Sequence, residues 1–71
     1  YDHKSYLLET AHKKDFTVDF KIIDQSGPDH NRRFTAAVYI DGQLAATAEG
    51  KTKKEAEQGA AAAYIEQNKN E

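Results

Sequence analysis

The sequence predicts a single α+β domain in which a helix, three antiparallel strands and a second helix follow one another. Three observations predict this order. A short amphipathic segment opens the chain, three segments with alternating or β-branched apolar residues follow, and an alanine-rich segment comes last. In a domain of 71 residues, one core supplies a net stability of only about 3–5 kcal/mol, so we expect no deeply buried active site.

The first helix and the first strand are predicted from the opening residues. In HKSYLLETAHKK, Leu7 and Ala11 lie one helical turn apart, which is typical of a short helix with one apolar side. The next segment, FTVDFKIID, is rich in β-branched and aromatic residues and places Phe20 and Ile22 on one side of a strand. Residues 26–29, SGPD, then end the strand, because Gly and Pro interrupt strands and Asp favours turns.

Two further strands joined by a tight turn complete the predicted sheet. Apolar side chains alternate with polar ones on both strands, which indicates that one side of each strand is buried. The residues expected to point inward are Phe34, Ala36, Val38, Ile40, Leu44, Ala46 and Ala48. Asp41 and Gly42 lie between the strands and predict a two-residue turn, whose central positions both need positive φ.

The second helix is predicted to begin just after Thr52. Glu55 follows three residues later, and this pair is a capping box. One side of this helix carries mostly small side chains and is expected to lie against the sheet; its residues are Ala56, Ala60, Ala63 and Tyr64. We therefore assign residues 1–67 to the domain and residues 68–71 to a polar C-terminal tail that is expected to fray.

Three lysines surround the predicted start of the second helix, namely Lys51, Lys53 and Lys54. Backbone N–H groups already make a helix start positive, so each cation there opposes the helix dipole by a few tenths to about 1 kcal/mol. Folding does not require this arrangement, and it suits an anionic partner such as phosphate. The alternative is an ordinary solvated charged surface.

The charge and cysteine content limit the possible partners and compartments. The net charge of −2 argues against a polycation that binds any nucleic acid, yet five of the ten Lys and Arg residues lie between residues 30 and 54. The chain has no cysteine, which leaves the redox compartment open. It shows no apolar run near the ~20 residues of a membrane span and no secretory signal, so we expect no membrane partner and a cytoplasmic location.

The sequence gives no positive indication of catalysis or metal binding. Residues 50–52, GKT, resemble the end of a phosphate-binding P-loop, but Ala45 stands where that motif needs Gly. His3, His12 and His30 lack the spacing of metal ligands. We therefore predict no catalytic residue, no metal site and no cofactor in this chain.

A set of motifs spread over nearly the whole chain resembles the double-stranded RNA-binding domain family. The motifs are KSYLLE at residues 4–9, GPDH at residues 27–30, Phe34, and GKTKKEAE at residues 50–57. Within the family, the opening motif and GPDH look most like the C-terminal domain of bacterial ribonuclease III. The resemblance implies that both helices pack on one face of the sheet and that the domain recognises the shape of A-form RNA over about 16 base pairs.

The resemblance also implies which residues contact RNA. The first helix would enter one minor groove through Ser5, Glu9 and His12, whereas Leu8 stands where ribonuclease III relatives commonly carry Gln. The loop would reach a second minor groove through Pro28, Asp29 and His30, with His30 as the contact to a 2′-hydroxyl. The phosphates between the grooves would meet Lys51, Thr52, Lys53 and Lys54. For Arg32 and Arg33, a peripheral phosphate contact and a solvated strand start remain equally open.

The resemblance to ribonuclease III implies a longer parent protein. That parent would be a dimeric, Mg-dependent endonuclease whose catalytic domain lies outside this chain, so Mg and homodimer formation are expected only through that domain. Two alternatives stay open: a stand-alone regulator that binds duplex RNA, and a protein-interaction module of the same fold that dimerises through an exposed strand or helix.

Overall fold

The computed structural model describes residues 2–69. Its elements are α1 (His3–Lys14), β1 (Val18–Ser26), β2 (Arg33–Ile40), β3 (Gln43–Gly50) and α2 (Lys53–Asn68). The strands form one antiparallel sheet in the order β1-β2-β3, and both helices pack on one of its faces. This architecture confirms the predicted α-β-β-β-α fold.

Both helices begin at a residue whose side chain caps the first turn. Asp2 accepts a hydrogen bond from the Ser5 amide (3.1 Å), and Thr52 Oγ1 accepts one from the Glu55 amide (3.0 Å). Glu55 Oε1 in turn accepts from the Lys51 amide (2.9 Å), one residue before the position that a standard capping box uses. The predicted start of α2 just after Thr52 is therefore confirmed.

The core is built largely from alanine. Its buried residues are Leu7, Ala36, Val38, Ala46, Ala56, Ala60 and Ala61. Because alanine side chains are short, α2 approaches β2 and β3 closely, and α2 makes most of the contacts between helices and sheet. α1 contacts α2 more than the sheet, and its buried side chains are Leu7 and Ala11. The orientation of α1 therefore depends mainly on α2.

The prediction that Leu44 points inward is wrong. Val38 pairs with Ala46, but the next residue, Tyr39, pairs with Leu44, so Ala45 is an extra residue in β3. Such a β-bulge reverses the inward and outward alternation beyond it. Leu44 consequently lies beside Tyr39 on the outer side of the sheet and is 60% exposed.

The ends of the remaining elements follow local sequence. Asp41 and Gly42 have φ values of 51° and 83°, which confirms the predicted turn. α2 continues through Asn68, the first residue of the predicted tail, while Asn70 and Glu71 lie outside the described residues. The division at residues 67 and 68 and the fraying of the tail stay predictions. Neither described helix is long and apolar enough to cross a membrane.

Candidate nucleic-acid interface

The start of α2 presents a cluster of cations to solvent. Lys51, Lys53 and Lys54 are all exposed, and we call them the lysine tip. Lys53 Nζ lies 6.0 Å from the centre of the Phe34 ring, so its stem passes over the start of β2. Positive side chains and the positive end of the helix dipole therefore occupy one small surface, which attracts phosphate.

The loop between β1 and β2 is a tight turn with His30 near its apex. The Asn31 amide donates a hydrogen bond to the Pro28 carbonyl (2.9 Å), which places Asp29 and His30 at the two central positions. Gly27 precedes the turn with φ of 91°, and a Cβ at this residue would collide with the Asn31 carbonyl oxygen. His30 is exposed. The predicted loop contacts thus project from a turn whose shape is set by its own backbone.

The loop and the lysine tip lie at the same end of the sheet. Ser26 pairs with Arg33 where the loop leaves and rejoins the sheet, and Phe34 pairs with Gly50 one residue further along β2. Lys51 follows Gly50 directly in the chain. The strand register therefore brings together two sets of predicted contacts that are about twenty residues apart in sequence.

The third set of predicted contacts lies on the exposed side of α1. Ser5, Glu9 and His12 are spaced i, i+4 and i+7, so they share one side of the helix. A shallow concavity of about 400 Å³ is lined by Ser5, Leu8, Glu9, His12 and Lys13. Leu8 is 44% exposed there. Lys13 was not among the predicted contacts, although a lysine one residue beyond His12 is visible in the sequence.

Two of the predicted RNA-binding side chains also stabilise helix starts. Ser5 Oγ donates to Asp2 Oδ2 (3.0 Å), and the Thr52 hydroxyl oxygen accepts from the Glu55 amide. A serine hydroxyl still has lone pairs that accept a hydrogen bond, so this bond leaves Ser5 able to meet a 2′-hydroxyl. These caps fix the backbone at the two helix starts, which carries the neighbouring predicted contact residues.

Arg32 and Arg33 have partners within the chain. Arg32 Nη2 lies 3.1 Å from Asp29 Oδ1, and its Nη1 donates to Gln25 Oε1 at 3.4 Å. Arg33 Nε lies 3.3 Å from Glu49 Oε1. Both ion pairs are exposed, and each contributes at most about 1 kcal/mol. They orient the arginine side chains but are weak enough for a phosphate to replace the carboxylate partner. A phosphate contact by either arginine stays a prediction.

Titratable groups in the described part of the chain do not assemble into a metal site. No group of three or more His, Cys, Asp or Glu residues between positions 2 and 69 is arranged to hold a metal ion.

The fold and this surface together define a class of protein. The domain is small, has the order α-β-β-β-α, and carries a cluster of lysines at the start of α2, a histidine in the turn before β2 and polar side chains on the exposed side of α1. These features are typical of a nucleic-acid-binding module. The family model described as "Double-stranded RNA binding motif" matches residues 3–68. The chain belongs to this family of double-stranded RNA-binding domains.

Individual relatives agree with this assignment. The chain is 49% identical over 69 residues to "Ribonuclease 3" of Syntrophomonas wolfei, covering 96% of the chain and 30% of that protein. It is 43% identical over 61 residues to "Ribonuclease 3" of Enterococcus faecalis, covering 84% of the chain and 26% of that protein. The chain thus spans less than a third of these curated relatives.

A solved structure agrees with the fold. The solution structure of both double-stranded RNA-binding domains of DRB4 with their linker matches with a TM-score of 0.73 and 34% identity. The match covers 97% of this chain and 45% of that chain. The RNA contacts of individual residues in the present chain stay predictions.

Proposed function

We propose that this domain binds duplex RNA by shape, with the exposed side of α1 in one minor groove, the His30 turn in a second, and the lysine tip on the phosphates between them. A-form RNA offers a shallow minor groove lined by 2′-hydroxyls, whereas its major groove is too deep and narrow for side chains. The observation that carries the proposal is the strand register, which sets the turn beside the lysine tip at one sheet end. Contacts of this kind carry little base information, so sequence preference is weak.

We further propose that the chain is the substrate-binding module of a ribonuclease III. In that protein, a separate Mg-dependent and dimeric catalytic domain would cut the RNA that this domain holds, and a cytoplasmic location would follow. Support comes from the two Ribonuclease 3 relatives, which align with this chain over less than a third of their length. The chain itself would contribute affinity and no cofactor.

Titration of a fluorescent RNA duplex of about 20 base pairs tests the RNA surface. The triple variant Lys51→Glu, Lys53→Glu, Lys54→Glu should lose measurable binding while circular dichroism stays native. The matched control is Lys14→Glu, Lys21→Glu, Lys69→Glu, which changes the net charge equally but leaves the lysine tip intact. Equal loss of affinity in both triples would reject the assigned surface in favour of bulk charge.

Two competitors and one sizing experiment separate the alternatives. A DNA duplex of the same sequence should compete poorly, because it lacks 2′-hydroxyls and A-form grooves, whereas unlabelled RNA duplex should compete fully. Size-exclusion chromatography should show a monomer that shifts only when RNA is added. A dimer that ignores RNA would instead support a protein-interaction module.

A further inference from the structure

The side chain of Gln58, in the second turn of α2, holds the start of α1. Its Oε1 accepts a hydrogen bond from the Lys4 amide (3.2 Å), and its Nε2 donates to Asp2 Oδ1. The amide of the second residue of a helix has no partner within that helix. The two ends of the Gln58 amide are therefore matched to one donor and one acceptor at the same helix end.

A neighbouring ion pair strengthens this connection. Lys4 Nζ lies 2.8 Å from Glu57 Oε1 and 5.1 Å from the centre of the Phe20 ring on β1. The two side chains of the pair are only 35% and 22% exposed, so water screens them less than a surface pair. We call Asp2, Lys4, Glu57 and Gln58 the interhelical clamp.

The clamp lies between two of the proposed RNA contacts. Gln58 follows Lys54 of the lysine tip by one helical turn on α2. Ser5 follows Lys4 directly on α1, and its hydroxyl donates to the same Asp2 carboxylate that Gln58 binds. One set of hydrogen bonds thus connects the surface for phosphates to the surface for the first minor groove.

Packing attaches α1 mainly to α2 rather than to the sheet. The helix buries only Leu7 and Ala11, and its contacts with the sheet are few compared with those of α2. Small apolar contacts are non-directional, whereas a two-ended amide contact fixes both the distance and the angle between helices. The clamp is therefore a directional connection between α1 and the helix that carries the lysine tip.

We propose that Gln58 is a positioning residue that sets the fit of this domain to A-form RNA without touching the RNA. The proposal rests on the RNA-binding function above. Holding α1 in its bound orientation before the encounter removes an ordering cost that binding would otherwise include. Without the clamp, α1 no longer meets its minor groove while the lysine tip and the His30 turn remain in place.

A charge swap tests the clamp sharply. Gln58→Glu faces Asp2 with a second carboxylate, which removes the donor and adds repulsion. Adding Asp2→Asn restores a donor at residue 2, while the carboxylate introduced at residue 58 still accepts from the Lys4 amide. Both hydrogen bonds to residue 58 then return at unchanged net charge, whereas the capping bond from the Ser5 amide is lost, because Asp2 accepts it through the same Oδ1 that faces Gln58. Gln58→Met is a third variant, which removes both hydrogen bonds without adding charge.

The measurement is the affinity for RNA duplexes of about 20 and about 10 base pairs, because only the longer one spans all three contacts. Gln58→Glu and Gln58→Met should bind the longer duplex about tenfold more weakly and the shorter one nearly as well as the wild type. The swap should recover the wild-type affinity for both. Asp41→Ala removes the carboxylate that accepts hydrogen bonds from the Thr17 amide and hydroxyl at the opposite end of the sheet, so it should lower the melting temperature without this length dependence.

The outcomes distinguish the two proposals. If the wild type fails to bind duplex RNA, the proposed function fails. If the wild type binds and Gln58→Met binds equally well, or loses affinity equally for both lengths, Gln58 is not a positioning residue. A swap that restores the melting temperature but not the affinity would also overturn the inference.

Discussion

Gly50, the last residue of β3, lies so close to Ala56 that a Cβ at residue 50 would stand 2.6 Å from the Ala56 amide nitrogen. The other near atoms are the carbonyl carbon and the Cβ of Glu55, so all of them move only if the start of α2 moves. We expect Gly50→Ala to cost about 1–3 kcal/mol of unfolding free energy and to weaken RNA binding, since the lysine tip follows directly. Urea denaturation and RNA titration measure the two effects.

The matched control for this substitution is Gly42→Ala. No atom lies within 4 Å of a Cβ there, so the cost comes only from its φ of 83°. This variant should lose stability and keep the wild-type affinity. If Gly50→Ala behaved the same way, the close approach would not position the lysine tip.

Burial predicts a large cost for truncating one leucine and a small cost for truncating another. Leu7 is 2% exposed, so Leu7→Ala should cost about 2–5 kcal/mol and leave a domain of this size marginally folded. Leu44 is 60% exposed, so Leu44→Ala should change stability by about 0.5 kcal/mol or less. Thermal denaturation followed by circular dichroism gives both values. A large cost at Leu44 would mean that β3 pairs without the bulge.

The contrast between these leucines shows which features can be predicted from sequence. The Thr52 and Glu55 cap was predictable because both residues lie within one turn and their side chains act on adjacent backbone. The orientation of Leu44 was not predictable, because a bulge depends on how two strands pair and does not change the alternation of apolar and polar residues in the sequence. The hydrogen bond from Gln58 to Asp2 could not be predicted either, because the partners lie 56 positions apart in sequence and neither belongs to an apolar pattern.

The candidate RNA-binding site also has a part that could be predicted from sequence and a part that could not. Its lysines and its turn could be assigned from short motifs, and the structure places both at one sheet end. What the motifs do not contain is the angle of α1 against α2. That angle depends on side chains from both ends of the chain, which only the folded structure brings together.

The cap on α1 makes stability depend on pH in the acid range. Hydrogen bonds from Gln58 first, and then from Ser5, lower the pKa of Asp2 from 3.8 to about 2. Because the folded state favours the ionised carboxylate, this stabilisation is present above about pH 4 and is lost as the pH falls towards 2. Asp2→Asn should therefore show a flatter dependence of unfolding free energy on pH across this interval.

The cause can be checked separately by following the Asp2 carboxyl group by NMR. In Gln58→Met, the pKa of Asp2 should move back towards 3.8, since the largest contribution to its shift is gone. A wild-type Asp2 that titrated at its ordinary value would contradict the interhelical clamp.

Phosphate contact by the lysine tip predicts a specific salt dependence. Each neutralised phosphate releases condensed counterions, so the slope of log K against log salt reports the number of such contacts. Lys54→Met should flatten this slope by about one unit for duplex RNA. Lys21→Met is the control, because Lys21 Nζ lies 5.1 Å from the centre of the Tyr39 ring on the outer side of the sheet. An unchanged slope in Lys54→Met would exclude that lysine from the phosphate contacts.

Because His30 is exposed in its turn, we expect its side chain to form a hydrogen bond with a ribose 2′-hydroxyl of the RNA. A hydrogen bond from the imidazole to a 2′-hydroxyl contributes about 0.5–1.5 kcal/mol, so His30→Ala should weaken binding to duplex RNA by between about twofold and about 13-fold. On a duplex whose second minor groove carries 2′-deoxyriboses, the wild type should lose the same amount and the variant should lose little more. Gln43→Ala, an exposed polar substitution at the opposite end of the sheet, should respond to both duplexes like the wild type. Equal sensitivity of wild type and His30→Ala to the missing hydroxyls would assign that contact to another residue of the turn.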